Sequence, residues 1–349
     1  MSDPLSQPSS QPASPPSSHR PSPPSGGRLP LPHYLEDLGH GIFAIDTAFQ
    51  RDHFDAAYLV VDNGRAAFID TGTRHAVPRL LGALEALGLP ASAVDWVIPT
   101  HVHLDHAGGV GPLMERLPAA RLLVHPRGLR HMVDTSALWA GALAVYGEAE
   151  MQRSYGVLVG VPEARAVSST DEQCITLGTR TLRLIDTPGH ARHHHCIWDE
   201  ASGGWFTGDT FGLSYREFDD GGGRAWIMPT STPVQFEPDA LIASIQRMLE
   251  TRPRQMFLTH YGAVGRDQAD VQRLADLLIS QIREMAALAQ HLRHAPDRHD
   301  ALKRELLALY QRGVAQHLGG TMDPTHVAAL LAMDVELNAQ GLAVWLDRN

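Results

Sequence analysis

Three histidines and one aspartate lie close together in residues 100–109, which read T-H-V-H-L-D-H-A-G-G. Imidazole nitrogens and carboxylate oxygens are ligands for hard or borderline metal ions such as zinc, iron and manganese. His101 and His103 are two positions apart, so an extended segment directs both side chains to the same side. Asp105 and His106 follow directly and are available to a second ion. The stretch therefore predicts a metal site.

Three further ligand candidates occur later in the chain, each after a short apolar run. His190 ends the segment 186–190, D-T-P-G-H, in which proline and glycine favour a tight turn. Asp209 follows a threonine and a glycine after the apolar run at Trp205, and His260 ends the segment 257–260, F-L-T-H. A lone histidine at the end of a strand is usually structural, but the same layout occurs repeatedly here.

Two more polar residues are candidates for supporting roles. Asp70 ends the apolar run 66–69, and two interpretations of it remain open: a turn or helix N-cap residue, or an acceptor that orients a metal-bound histidine. His194 lies within the run His193, His194 and His195. Because side chains alternate along a strand, these three cannot all point inward. We predict a supporting role for His194 alone.

The elements that would position these residues alternate between short apolar strands and helices, which is α/β construction with chemistry at the strand ends. The residues Asp-Asn-Gly at 62–64 predict a hairpin turn. We predict a disordered leader rich in proline and serine over residues 1–32. A catalytic domain is predicted over 33–265, with a helical insertion at about 126–160, and a helical C-terminal region over 266–349.

Composition limits the function classes. The 43% hydrophobic content is ample for a globular core, while the net charge of -10 and the lack of a basic cluster argue against nucleic acid. The sequence shows neither a membrane span nor a signal peptide, and Cys174 and Cys196 form no disulfide framework. We expect a cytoplasmic protein that acts on a small molecule, with no nucleic-acid or membrane partner and with a homodimer left open.

The ordered set His101, His103, Asp105, His106, His190, Asp209 and His260 resembles the ligand set of the metallo-β-lactamase superfamily, over roughly residues 41–262. The resemblance implies an α/β fold, a four-layer αββα sandwich with the metals at one edge. By that likeness His101, His103 and His190 hold the first ion, Asp105, His106 and His260 hold the second, and Asp209 bridges them. Asp70 and His194 also occupy positions that match supporting residues of the superfamily.

Differences between the subfamilies of this superfamily indicate which of them the chain resembles most. Class B1 β-lactamases have a cysteine where this chain has Asp209, which disfavours antibiotic hydrolysis. A bridging aspartate places the chain nearer to the glyoxalase II and metallo-lactonase branch. Lactonases place a tyrosine soon after that aspartate, and the nearest one here is Tyr215, followed by Arg216. We predict these two residues as substrate contacts.

Together the residues and the resemblance predict a metallo-hydrolase. In it, a hydroxide that bridges two divalent ions attacks a small ester, lactone or thioester. Zinc is preferred over iron and manganese because hydrolysis needs no redox chemistry. Asp105 is predicted to orient the nucleophile and to pass a proton to the leaving group. The alternative is a mononuclear iron dioxygenase of the persulfide dioxygenase type, and a phosphodiesterase is less favoured.

Overall fold

The computed structural model describes residues 30–231 and 234–349. Within this range, residues Leu31–Asn349 form one compact unit. The predicted leader, residues 1–32, lies outside the described residues except at its C-terminal end.

Two β-sheets form the centre of the molecule. The first has seven strands in sequential order: β1 (Leu35–Asp37), β2 (Ile42–Asp46), β3 (Ala56–Asp62), β4 (Arg65–Ile69), β5 (Val94–Ile98), β6 (Arg121–Val124) and β7 (Ala166–Ser168). The second has six strands: β8 (Gln173–Leu177), β9 (Arg180–Asp186), β10 (His195–Asp199), β11 (Gly204–Gly208), β12 (Gln255–Leu258) and β13 (Gly262–Val264).

Helices flank the sheets and form the C-terminal part of the chain. Their bounds are α1 (Val77–Ala86), α2 (Leu104–Ala107), α3 (Val110–Arg116), α4 (Pro126–Val133), α5 (Ser136–Tyr146), α6 (Glu148–Glu150), α7 (Pro238–Leu249), α8 (Gln268–His291), α9 (Arg298–Leu318), α10 (Pro324–Leu330) and α11 (Ala332–Arg348).

Strand β2 shows how the sequence builds the layers. Phe43 and Ile45 pack with Leu80 of α1 on the outer face of the first sheet, whereas Ile42 and Ala44 pack between the two sheets. This alternation has the period of two that a strand buried on both faces requires. The outer face of the second sheet is covered by α7 and α8. The predicted α/β fold, an αββα sandwich with C-terminal helices, is confirmed.

Strand direction brings the ends of distant segments together. The hairpin between β3 and β4 turns at Asn63-Gly64, and β4 then runs parallel to β5. In the second sheet, β11 runs parallel to β12. Because parallel neighbours end at the same edge of a sheet, Asp70 lies beside Thr100 in the first sheet, and the residues that follow β11 and β12 share one edge of the second.

Helix α11 is fixed against the segment 229–231 by close backbone contact. The backbone N–H of Ser231 donates to Asn338 Oδ1 at 2.7 Å, and Asn338 Nδ2 donates to the Tyr310 hydroxyl at 2.9 Å. At Gly341 the backbones are so close that a Cβ would lie 1.4 Å from the carbonyl oxygen of Ser231. These contacts set the register of α11 on the rest of the fold.

Among the residues described, no single helix is both long enough and apolar enough to cross a membrane; α10 and α11 meet these requirements only as a pair bent by 65°.

Candidate metal centre and substrate cavity

Imidazole and carboxylate groups from both sheets converge at one edge of the sandwich. They form three overlapping groups, and within each group the ligand atoms lie within 4.8 Å of one another. The groups are His101, His103 and His190; His101, His106 and Asp209; and Asp105, His106 and His260. The structure thus brings together all seven side chains that the sequence predicted as ligands.

Each of these side chains lies just beyond a strand end. His101 and His103 follow β5, and the short helix α2 then presents Asp105 and His106 within its single turn. His190, Asp209 and His260 follow β9, β11 and β12, which belong to the second sheet. The cluster therefore depends on the two sheets packing face to face.

The two oxygens of Asp209 face different parts of the cluster. Oδ2 lies 3.3 Å from His190 Nε2, and His190 Nε2 lies 3.2 Å from His103 Nδ1. Oδ1 lies 3.2 Å from His106 Nε2 and 3.6 Å from His260 Nε2. One carboxylate can therefore serve both ligand groups.

Two buried atoms in the cluster fit a metal ion. His106 Nε2 and Asp209 Oδ1 are buried and lack a hydrogen-bond partner among the residues that the structure describes. Buried polar atoms without partners are costly, and a cation between them would satisfy both. All donor atoms in the cluster are nitrogen or oxygen, which suits zinc, iron or manganese.

Burial and neighbouring charges shift the pKa values of the candidate ligands in both directions, and their net effect raises those of His106 and His260. Burial lowers the pKa of His101 well below its ordinary value, and neighbouring imidazoles lower it further, so this ring is neutral. Burial favours a neutral Asp209, but the charges of His106 and His190 outweigh it and hold the pKa of that carboxyl well below its usual range. Burial likewise raises the pKa of Asp105, but His106 and His260 lower it to about 2.

Asp70 contacts the cluster of candidate ligands through His106. Its Oδ2 accepts a hydrogen bond from His106 Nδ1 at 2.9 Å and one from the Thr259 hydroxyl at 2.8 Å. Its Oδ1 accepts one from the backbone N–H of Thr100 at 2.6 Å. The short 3₁₀ helix that follows, Arg74–Ala76, is instead capped by Thr73. This geometry favours the interpretation in which Asp70 orients a ligand histidine with its Nε2 toward the metal.

We expect Asp70→Asn to weaken zinc binding by about 10- to 100-fold, because an amide is a poorer partner for His106 Nδ1–H. Competition with a chromophoric zinc chelator measures the change. The exposed Asp300 on α9 provides the control, Asp300→Asn, which should bind zinc like the wild type. Unchanged affinity in Asp70→Asn would show that the carboxylate does not orient His106.

His194 supports the cluster through the backbone. Its Nε2 accepts a hydrogen bond from the backbone N–H of Asp209 at 3.2 Å, and Thr187 Oγ1 lies 2.9 Å from its Nδ1. Gly208, at φ +48°, passes so close that a Cβ would lie 2.6 Å from His194 Nε2. The glycine therefore lets the chain approach His194 and place Asp209.

The neighbouring histidines differ from the sequence prediction, which gave them no role. His195 is buried, with Nε2 2.9 Å from the carbonyl oxygen of Pro99. His193 lines the cavity described below, with its ring centroid 5.3 Å from that of His103. Strand β10 begins only at His195, so strand alternation does not apply to residues 193 and 194.

A cavity of about 530 Å³ opens onto the cluster. Four candidate ligands, His103, Asp105, Asp209 and His260, belong to its lining. The other walls are mainly apolar. Their apolar residues include Phe49 and Phe54; Leu138, Ala142 and Val145 of α5; Leu213; and Met333 and Leu337 of α11. No lysine or arginine of the described residues lines this cavity.

The two predicted substrate contacts separate in the structure. Tyr215 lines the cavity, stacks on Phe54 with ring centroids 5.2 Å apart, and donates its hydroxyl to Asp334 Oδ1 at 3.0 Å. Arg216 lies outside the lining. Its guanidinium is 5.6 Å from the ring centroid of Tyr261 and donates to the carbonyl oxygen of Ala263. Tyr215 has extended backbone, so the two adjacent side chains diverge.

The family model that describes the metallo-beta-lactamase superfamily matches residues 51–261. The chain belongs to this superfamily. Its ligand cluster, its two sheets and its flanking helices thus lie in a fold whose members are largely metallo-hydrolases.

Several relatives are similar in sequence. ST1585 of Sulfurisphaera tokodaii, a metallo-beta-lactamase fold-containing protein, is 27% identical over 49% of this chain and 62% of its own length. The acyl-coenzyme A thioesterase MBLAC2 of Gallus gallus is 26% identical over 73% of this chain and 93% of its own length. A hydroxyacylglutathione hydrolase of Acidiphilium cryptum is 29% identical over 58% of this chain and 62% of its own length. The chain therefore spans less than two thirds of ST1585 and of the hydroxyacylglutathione hydrolase.

The solved structure of ST1585 superposes with a TM-score of 0.56 at 19% identity, covering 86% of this chain and 98% of ST1585. This likeness shows a shared fold.

Proposed function

We propose that this protein is a dinuclear metallo-hydrolase that cleaves a thioester, ester or lactone of an apolar acyl group. The observation that carries the proposal is the position of the ligand cluster at one end of a mainly apolar cavity. The similarity to an acyl-coenzyme A thioesterase over most of that relative's length supports the same bond class.

Residues of the three ligand groups would hold two ions, with zinc preferred. His101, His103 and His190 would hold one ion, and Asp105, His106 and His260 the other, with Asp209 shared between them. When bound, such ions supply Lewis acidity, which activates water at neutral pH and polarises a carbonyl.

Asp105 is the residue proposed to move the proton. Its side chain is 25% exposed, whereas that of Asp209 is 5% exposed, and it lines the cavity. As a carboxylate that borders the cavity, Asp105 can accept the proton of the attacking water. It would return that proton to the departing thiolate or alkoxide as the carbonyl–heteroatom bond breaks.

The lining residues also bear on substrate charge. Phosphodiester and glutathione-derived substrates carry negative charges that proteins usually bind with lysine or arginine, and neither residue lines the described cavity. Apolar walls instead suit an acyl chain and exclude water from the cleavage site. The cytoplasmic location and the homodimer stay predictions.

Metal analysis combined with a substrate panel tests the proposal. We expect two zinc equivalents per chain after metal loading, turnover of an octanoyl thioester, an octanoyl ester or a decanolactone, and no turnover of a phosphodiester. A chelator should abolish activity and zinc should restore it. One iron per chain with oxygen uptake, or turnover of the phosphodiester alone, would overturn the proposal.

A further inference from the structure

Helix α11 brings an acidic residue into the wall of the cavity. Asp334 lies four positions before Asn338, so both project from the same face of the helix. Asn338 is anchored to Ser231 and Tyr310, and this anchor fixes where Asp334 points. Asp334 lines the cavity together with Met333 and Leu337 of the same helix.

Only one of the two oxygens of Asp334 has a partner in the described part of the chain. Oδ1 accepts the hydrogen bond from Tyr215, while Oδ2 is buried and has no hydrogen-bond partner. The residue as a whole is only 6% exposed. Burying a carboxylate oxygen without a hydrogen-bond partner costs free energy. Because this oxygen belongs to a residue of the cavity wall, it indicates that a bound ligand donates a hydrogen bond to it.

The two glutamates in the lining are already paired. Glu336 contacts Lys303 and His299, and Glu150 accepts a hydrogen bond from Ser154. Of the unpartnered buried carboxylate oxygens among the described residues, only those of Asp209 and Asp334 belong to residues of the lining. The unpartnered oxygen of Asp209 belongs to the ligand cluster. The unpartnered oxygen of Asp334 is therefore the one that is available to a substrate.

The protonation states make Asp334 an acceptor. Burial raises the pKa of Tyr215 well above its ordinary value, and the charge of Asp334 raises it further. The hydroxyl therefore stays protonated and donates a hydrogen bond to Asp334. Burial raises the pKa of Asp334 to about 6, although the bond from Tyr215 acts in the opposite direction. The carboxylate is therefore ionised in mildly alkaline solution, and an ionised carboxylate only accepts hydrogen bonds.

We propose that Asp334 is a substrate-binding residue whose Oδ2 accepts a hydrogen bond from an N–H or O–H group of the acyl substrate. The substrate is accordingly an apolar acyl compound that carries one such donor. This inference rests on the proposed function, because both concern the same cavity. A compound without a donor leaves Oδ2 unpaired and is rejected on that account.

Binding of unreactive carbonyl compounds tests the inference without requiring turnover. The probes are methyl nonyl ketone, N-octylacetamide, in which N–H replaces one methylene of that ketone, and the β-hydroxy derivative of the ketone. Isothermal titration of the metal-loaded protein at about pH 8 should show at least one donor-bearing probe binding about tenfold more tightly than the ketone. The amide and hydroxyl probes distinguish the two donor types.

Two variants separate Asp334 from its neighbour. If the side-chain oxygen of the new amide keeps the hydrogen bond from Tyr215, Asp334→Asn turns an N–H₂ group toward the cavity. The affinity for the donor-bearing probes should then be within about twofold of that for the ketone. Tyr215→Phe keeps the carboxylate and should keep the preference. Asp347→Asn, on the exposed side of α11, is the matched control. Equal binding of all probes by the wild type, or an unchanged preference in Asp334→Asn, overturns the inference.

Stability distinguishes a binding residue from a structural one. Because the pKa of Asp334 is raised from 3.8 to about 6, the folded protein releases this proton at higher pH than the unfolded chain does. The free energy of unfolding therefore falls as the pH rises between these values and stays lower above them. Asp334→Asn removes that penalty, so its melting temperature at about pH 8 should equal or exceed that of the wild type. A lower melting temperature would indicate a structural carboxylate and would count against the inference.

Discussion

Asp209→Asn is expected to reduce the zinc content from two equivalents to one and to lower kcat/KM by more than about a hundredfold. The two oxygens of Asp209 face different candidate ligands, Oδ2 toward His190 and Oδ1 toward His106 and His260. An asparagine offers a single oxygen and no charge. Loss of a residue that only supports a ligand costs about 10- to 100-fold, so loss of a shared ligand should cost more.

Elemental analysis of dialysed protein and steady-state kinetics with a thioester measure the two effects together. Asp276→Asn is the matched control, since Asp276 is an exposed aspartate on α8 and is not one of the candidate ligands. Retention of both zinc equivalents with full turnover in Asp209→Asn would show that the carboxylate does not bridge the two groups.

The fold, and the positions of the candidate ligands after strand ends, were predictable because their signals are local. The strands β2 and β3 show in the sequence as short apolar runs separated by a turn, and the period of two along β2 satisfies both faces of a buried sheet. Each ligand directly follows such a run. That these residues share one site was implied by the resemblance to the metallo-β-lactamase superfamily, and the parallel strand pairs provide the physical reason, because parallel neighbours end at one edge.

The substrate cavity was not predictable in the same way, because its walls come from segments far apart in the chain. Tyr215 and Asp334 are 119 positions apart, and no local pattern relates them. Asp334 belongs to a helix with a mixed sequence, where an acidic residue usually faces solvent. Its burial follows from the docking of α11 through Asn338 and Gly341, which is a tertiary event.

Adjacent residues show the same limit on a smaller scale. Tyr215 and Arg216 were predicted together as substrate contacts, yet only Tyr215 lines the cavity. His193 lines it although the sequence pattern gave it no role. In both cases the direction of the side chain depends on where a strand or turn begins. The boundaries of such elements are the least certain feature of a sequence pattern.

Asp105→Asn should separate metal binding from proton transfer. The amide oxygen of asparagine can still coordinate, and Asp105 lies farther from His106 Nε2, at 3.8 Å, than Asp209 does, at 3.2 Å. We therefore expect the variant to keep most of its zinc. An amide cannot carry a proton between water and the leaving group, so kcat should fall by about 10²- to 10⁴-fold, with a much smaller change in KM.

The leaving group provides the decisive comparison for this variant. An alkyl thiolate or alkoxide needs a proton as it departs, whereas a thiophenolate or nitrophenolate leaves readily without one. If Asp105 delivers the proton, Asp105→Asn should lose much more activity on an octanoyl alkyl ester than on the nitrophenyl ester of the same acid. Asp105→Glu keeps a carboxylate and should recover part of the activity on the alkyl ester. An equal loss on both esters, with zinc retained, would instead place the role of Asp105 in orienting the attacking water.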